Sequence, residues 1–202
     1  MIKAIFFDMF NVVIKGDFLG TIGEYEKRFN ISKGEFYRTI HDFDGWKEFS
    51  LGKITQDEFF KRCSDRAINF RFDGDYFFKL LKNNSEPNEE MINFIKLLSK
   101  KYIIGIISNA PKEWYGALIE RANLKNIIKV KAVSGYLHVR KPESEIFIEA
   151  LKRAGVKGNQ AIYVDDRGDR IQGALKLGIN VIVFDGNMKK FKKKMNVYLN
   201  NN

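Results

Sequence analysis

The sequence predicts an α/β fold, a doubly wound parallel sheet with a small all-helical insert. Three observations support it. Four short apolar runs each end abruptly at a polar residue, helical periodicity fills the intervals between them, and one early stretch breaks that rhythm with aromatic-rich helical patterns. Near-continuous apolar strands indicate a parallel sheet covered on both faces, and their alternation with helices indicates a doubly wound core.

The apolar runs are Ile2–Phe7 before Asp8, Ile103–Ile107 before Ser108, Ala161–Val164 before Asp165, and Val181–Phe184 before Asp185. The helices follow from spacing. From Glu89 to Lys100, Met91, Ile95 and Leu98 recur at intervals of four and three, after Pro87 and Asn88. Pro111 can open a helix reaching about Asn123. Ser144–Arg153 places Phe147, Ile148 and Leu151 on one side, and Asp169–Leu177 runs up to Gly178, a plausible stop.

Residues 16–85 form the expected insert, leaving 1–15 and 86–202 as the α/β core. Two capping-box patterns, Ser32–Glu35 and Thr55–Glu58, precede apolar residues there. Phe36, Ile40, Phe43, Trp46, Phe49, Phe59, Phe60 and Phe77 supply a separate hydrophobic set, read as interior packing rather than as a cofactor box. An insert after the first strand would sit over the carboxyl ends of the strands, where open α/β sheets bind ligands. A short Asn-rich tail at 200–202 is expected to fray.

Composition narrows the class. The chain is 45% hydrophobic and 14% aromatic, enough to fill a core. No stretch approaches the roughly 18 apolar residues of a membrane span, and MIKAIFFDMF lacks the apolar segment of a signal peptide. The single cysteine, Cys63, excludes an internal disulfide and suits a reducing compartment, so the cytoplasm is expected. The net charge of +10 raises nucleic acid as a partner. Most of that charge is lysine interleaved with acids, and only 189–194 (KKFKKK) is dense. A solvated surface helix is the preferred reading of that run, against a nucleic-acid site. The oligomeric state is left open.

Chemistry gathers in four places: Asp8, Ser108–Asn109, Lys141 and Asp165–Asp166. Each follows a strand or lies in a nearby loop, and a parallel sheet would bring all four to one crevice. A carboxylate such as Asp8 can attack phosphorus and divide one displacement into two. Mg²⁺ takes oxygen ligands, one or two carboxylates among them, and Asp8 and Asp166 can supply these with Asp165 as neighbour. Ser108, Asn109 and the backbone N–H groups leading to Pro111 can hold phosphate oxygens. Lys141 adds the positive charge that stabilises nucleophile and phosphoryl oxygens.

With these residues in place, the chain resembles the haloacid-dehalogenase-like hydrolase superfamily, in its phosphatase branch. FFDMFNVV is similar to the nucleophile motif, IISNA to the Ser/Thr motif, VRKPESEIF to the Lys-Pro motif, and YVDDRGDRIQGALKLGI to the acidic motif. The resemblance covers about 1–15 and 86–187, and the insert resembles the cap placed between the first and second motifs. It implies a Rossmann-like core, an aspartyl-enzyme intermediate on Asp8, and Mg²⁺ held by Asp8, the Phe10 backbone carbonyl and Asp166. It further implies a small phosphorylated substrate, with a sugar phosphate preferred.

The resemblance departs at three points. Phe10 stands where phosphatases carry a second Asp as general acid and base, Val12 where many members have Thr, and Arg170 where an acid often follows. Phe10 supports two alternatives: a metal-binding regulatory protein with little turnover, and a haloacid dehalogenase. Against the second, adjacent carboxylates at Asp165 and Asp166 beside Asp8 repel unless a cation intervenes.

Overall fold

The computed structural model describes residues 1–200; the last two asparagines of the expected frayed tail lie outside the described residues. In chain order the elements are β1 (Ala4–Phe7), β2 (Ile14–Gly16), α1 (Phe18–Arg28), α2 (Glu35–His41), α3 (Asp44–Ser50), α4 (Gln56–Arg66), α5 (Gly74–Asn83) and β3 (Ser85–Pro87). The chain continues through α6 (Glu89–Leu98), β4 (Ile103–Ser108), α7 (Lys112–Arg121), β5 (Val130–Val133), α8 (Ser134–Leu137) and α9 (Ser144–Ala154). It ends with β6 (Ala161–Asp165), α10 (Gln172–Lys176), β7 (Asn180–Val183) and α11 (Met188–Asn200).

Five strands form one parallel sheet in the order β5-β4-β1-β6-β7. The chain therefore moves outward on one side of β1, then returns to build the other, and β1 lies at the reversal. Side chains alternate between the two faces, as the strand period of two requires. Ile5, Phe7, Ile104, Ile106, Ile162 and Val164 pack with α6, α7 and α11. Phe6, Ile107, Ala132 and Tyr163 pack with α9 and α10. In the IIGII run, Gly105 leaves room for a neighbour: a Cβ there would lie 2.7 Å from the Phe6 ring and 2.9 Å from Val130.

The four expected strands are present, with ends shifted by up to two residues. A fifth strand, β5, joins them without a sequence signal, because a four-residue VKAV segment carries little pattern of its own. The expected helix over 169–177 is instead a 3-10 turn, Gly168–Arg170, followed by α10. Thr55 caps α4 by accepting the Glu58 N–H at 3.1 Å. Ser32 does not cap α2: that helix starts after Gly34 in a left-handed conformation, with φ of 80°. The 189–194 run falls on α11, but the helix is amphipathic rather than merely solvated. Met188, Phe191 and Met195 line its buried side, and the lysines take the outer one.

Helices α1–α5 share a hydrophobic cluster of their own, with Phe36, Phe49, Phe59 and Phe77 fully buried. The chain enters this region beyond β2 and returns at β3, and those two strands pair antiparallel with Gly16 opposite Ser85. The region is fastened to the sheet by Trp114 of α7, whose ring joins the helical cluster. Its Nε1–H donates to Gln56 at 3.2 Å, and Phe78 stacks on it at 5.8 Å between ring centroids. A second fastening is tighter still: Gly52, at φ 65°, approaches Gly135 so closely that a Cβ would meet its carbonyl oxygen at 2.1 Å. No helix among the described residues is long and apolar enough to cross a membrane.

Candidate active site

Register brings the strand-end residues together. Phe7 pairs with Ile106 on one side and Val164 on the other, so Asp8 and Asp165 leave adjacent strands at one level. The Asp8 N–H donates to the Val164 carbonyl at 2.8 Å. Beyond them lies a cavity of about 270 Å³ between the sheet's carboxyl edge and the helical region. Asp8, Phe10, Ser108, Asn109, Lys141 and Asp166 all line it. The four sequence clusters therefore converge.

Lys141 is the centre of the charge arrangement. Its ammonium is buried, 3.0 Å from Asp8 Oδ2 and 2.7 Å from Asp165 Oδ2, and it donates to the Tyr163 hydroxyl at 2.8 Å. Burial raises the Asp8 carboxyl above its ordinary value; Lys141 opposes that rise and the Asp165 charge adds to it. Burial also works against ionisation of Asp165. There the Lys141 ammonium, the Tyr163 hydroxyl and the Arg167 amide at 2.8 Å prevail and hold the carboxyl low. Burial likewise raises Asp166, helped by Asp165 and opposed by Asn11, whose side-chain amide donates to it at 2.9 Å. Tyr163 is held well above its usual range by burial and by Asp8 and Asp165, so it remains a hydrogen-bond donor, and it donates to Asp165.

One oxygen from each of Asp8, Asp165 and Asp166 lies within 4.8 Å of the others. An all-oxygen cluster with two carboxyls raised by crowding and burial fits a hard divalent cation such as Mg²⁺. The three are not equally available. Both Asp165 oxygens already accept protein hydrogen bonds, whereas the Asp166 side chain is only half-buried and faces the cavity.

The set expected to hold phosphate also divides. The Ser108 hydroxyl is buried, has no hydrogen-bond partner and belongs to the cavity wall. A buried orphan of this kind calls for a ligand or water to complete it. Asn109 is engaged elsewhere, since its Oδ1 accepts the Lys141 N–H at 2.8 Å and its Nδ2 donates to the Lys141 carbonyl at 3.0 Å. The Ala110 N–H, expected to face phosphate, donates instead to Ser134 Oγ at 3.0 Å. Sequence reasoning missed Tyr163, Asn11 and Ser134. None of the three carried a local signal of its own; Asn11 takes φ of 57° in the turn between β1 and β2, a conformation Asn tolerates.

Residues 2–178 match the model of the haloacid dehalogenase-like hydrolases. Among curated relatives, flavin mononucleotide hydrolase 1 of Arabidopsis thaliana is 22% identical over 190 residues, 91% of this chain and 73% of that protein. Drimenol cyclase drtB of Aspergillus calidoustus is 22% identical over 189 residues, and the chain spans only 34% of its length. A family enzyme from Bacteroides thetaiotaomicron, crystallised with magnesium and inorganic phosphate, superposes with a TM-score of 0.78 at 18% identity, covering 93% of this chain and 96% of that one. The L-2-haloacid dehalogenase of Xanthobacter autotrophicus, with chloropropionic acid covalently bound, gives a TM-score of 0.65 at 16% identity, over 90% of this chain and 76% of that one. These likenesses establish the fold, and the match over 2–178 establishes the rest: the chain belongs to the haloacid dehalogenase-like hydrolases.

Proposed function

We propose that the protein is a Mg²⁺-dependent phosphohydrolase of small phosphorylated metabolites, with Asp8 as nucleophile and residues 16–85 as a cap that selects the substrate. One observation carries the reading. The unpartnered Ser108 hydroxyl shares a cavity with the Asp8 carboxylate, and that carboxylate is charge-paired to Lys141.

The Asp8 carboxylate attacks phosphorus, the ester oxygen leaves with its electron pair, and an acyl phosphate forms on Asp8. Water then cleaves that bond, restores the carboxylate and releases inorganic phosphate. Lys141 holds the attacking carboxylate and offsets charge on the phosphoryl oxygens, while Ser108 donates to one of them. Asn109 keeps Lys141 in place through its backbone, and Asp165 keeps the ammonium aimed at Asp8. Asp8, Asp166 and the Phe10 carbonyl are the groups that would hold Mg²⁺. When bound, the ion screens the repulsion between carboxylate and phosphate.

Phe10 bears on which esters turn over. Its ring lines the cavity and cannot transfer a proton. Positioned acid–base catalysis contributes about 10²–10⁴-fold, so poor leaving groups suffer most and anomeric, acyl or aryl phosphates least. The same ring supports a second reading, a metal- and phosphate-binding regulator with little turnover. The carboxylate cluster weighs against a dehalogenase, because three neighbouring acids repel one another unless a cation joins them.

The test is hydrolysis with Mg²⁺ across a panel including aryl and anomeric phosphates, for wild type and Asp8→Asn. Wild type should turn over the activated esters and the variant should lose at least about 10³-fold. Equal rates for the two proteins would remove Asp8 from the chemistry. Tight Mg²⁺-dependent phosphate binding without product would favour the regulator.

A further inference from the structure

The cavity wall also carries two arginines that the chemistry at Asp8 leaves unused. Arg140 immediately precedes Lys141, and Arg170 closes the 3-10 turn after β6. Both line the cavity, with Ser50 of α3 beside them. A third arginine at the rim shows what satisfaction looks like: Arg167 Nε and Nη2 hold the two oxygens of Asp169 at 3.0 Å and 2.6 Å.

Arg140 has no equivalent partner. Among the described residues no carboxylate forms an ion pair with it, and its side chain makes one long hydrogen bond, 3.5 Å from Nη1 to Ser50 Oγ. Arg170 meets Asp169 only at 3.8 Å, through the oxygen that Arg167 already holds, and reaches the Lys141 carbonyl at 3.5 Å. Two half-buried guanidiniums thus share one stretch of wall. Burial first, and the Arg170 charge second, lower the proton affinity of Arg140, with Glu143 opposing. Like charges in a partly desolvated pocket are unfavourable unless an anion joins them. Guanidinium forks suit such an anion, since they grip carboxylate and phosphate through paired hydrogen bonds.

We propose that Arg140 and Arg170 form a second anion subsite, so that the preferred substrates are phosphate esters bearing a further carboxylate or phosphate. The inference rests on the phosphohydrolase reading, because it takes the reacting phosphoryl group to sit at Asp8 and Ser108. Lys141, with the metal that Asp8 and Asp166 would hold, serves that first group, and the arginine pair serves the second. The cap contributes Ser50 to the same wall, so an anion bridging the arginines would also touch the element that closes the cavity.

Non-hydrolysable probes test binding apart from turnover. The Mg²⁺-loaded full chain is titrated calorimetrically with methylphosphonate, phosphonoacetate and methylenediphosphonate. The two probes that carry a second anionic group separate a carboxylate partner from a phosphate one. Wild type should bind at least one of them roughly tenfold to a hundredfold tighter than methylphosphonate, the worth of one charge-assisted hydrogen bond. In Arg140→Gln and Arg170→Gln that preference should shrink to about threefold or less, and Arg170→Lys should keep part of it. Thermal melts of each variant establish that the protein is folded.

Equal affinity for all three probes overturns the subsite, as does a preference that survives both substitutions. Equal weakening of every probe also overturns it, since the pair would then hold the reacting phosphate itself. Turnover of p-nitrophenyl phosphate is followed in parallel. A preserved probe preference without turnover removes the phosphohydrolase reading and leaves the subsite standing. Failure of every probe to bind removes both.

Discussion

The side chain of Asn109 grips the backbone of Lys141 at both ends, accepting its N–H at 2.8 Å and donating to its carbonyl at 3.0 Å. The residue after β4 is thereby bonded to the loop that precedes α9, 32 positions later. The result is a fixed ammonium: the Lys141 main chain cannot drift while its side chain spans Asp8 and Asp165. Asn109→Ala leaves a backbone N–H and a carbonyl to find other partners in a part-buried setting. We expect a stability loss of about 1–3 kcal/mol, read by urea denaturation, with kcat reduced more than KM is raised. Unchanged kinetics would mean that the clamp is structural only.

Lys141→Met keeps the side chain's bulk and removes its charge. Asp8 and Asp165 then face each other across a buried gap without a cation. Breaking such an arrangement costs about 3–5 kcal/mol, and turnover should vanish together with the ion pair. Added Mg²⁺ should recover part of the melting temperature, because it returns positive charge to the carboxylates. If Lys141→Met melts like wild type, the ammonium does not hold the two carboxylates together.

Metal removal gives a prediction for the wild-type chain. Three carboxylate oxygens within 4.8 Å of one another repel when ionised, so ion binding and folding are linked. At a hundredfold excess over its Kd, Mg²⁺ should stabilise the protein by about 2.7 kcal/mol, and Asp166→Asn should abolish most of that gain. A calorimetric scan with and without EDTA checks it. A melting temperature indifferent to the ion would argue against a metal site at this cluster.

Ser134 ties the sheet to the helical region. Its buried hydroxyl accepts the Ala110 N–H at 3.0 Å and donates to the Ser50 carbonyl at 2.6 Å. Ser134→Ala strands both groups, at about 1–3 kcal/mol for each that stays dry. Amide hydrogen exchange should quicken around the end of α3 more than in the β-sheet. Uniform acceleration throughout the chain would show instead that the substitution lowers global stability alone.

Cys63 is fully buried, and burial pushes its thiol from 9.0 to about 12 despite the nearby Arg66. A pKa raised in the folded state gives stability that is complete below the unfolded value and is lost as pH climbs through the folded one. The protein should therefore lose stability between about pH 9 and pH 12 through this group, and Cys63→Ala should flatten that part of the curve. The native thiol should also react with Ellman's reagent only as fast as the chain opens. Immediate stoichiometric labelling at neutral pH would contradict the burial.

The sequence by itself carried the order of the fold and the position of its chemistry. Apolar runs that stop at Asp8, Ser108 and Asp165 mark where strands leave a covered sheet, and this is local information. Each residue's neighbours in the chain decide it. The same holds for the helices at Glu89, Pro111 and Ser144, whose periodicity appears within a dozen residues. β5 lay below that threshold, because VKAV owes its conformation to its pairing with β4 rather than to its own pattern.

Only the tertiary structure decided which polar groups are spent and which are free. Ser108 and Asn109 are consecutive, yet one hydroxyl is left without a partner while the other side chain bonds through both its oxygen and its nitrogen to a residue 32 positions away. Asp165 and Asp166 are equally adjacent. The first is enclosed by Lys141, Tyr163 and the Arg167 amide, and the second opens onto the cavity. Trp114 joins the helical cluster rather than the sheet, and Arg140 and Arg170 come to share one wall, through approaches that no window of sequence contains. Hydrogen-bond saturation and burial depend on distances between remote segments, and those distances are set when the strands pair and the helical region packs against the sheet's helices.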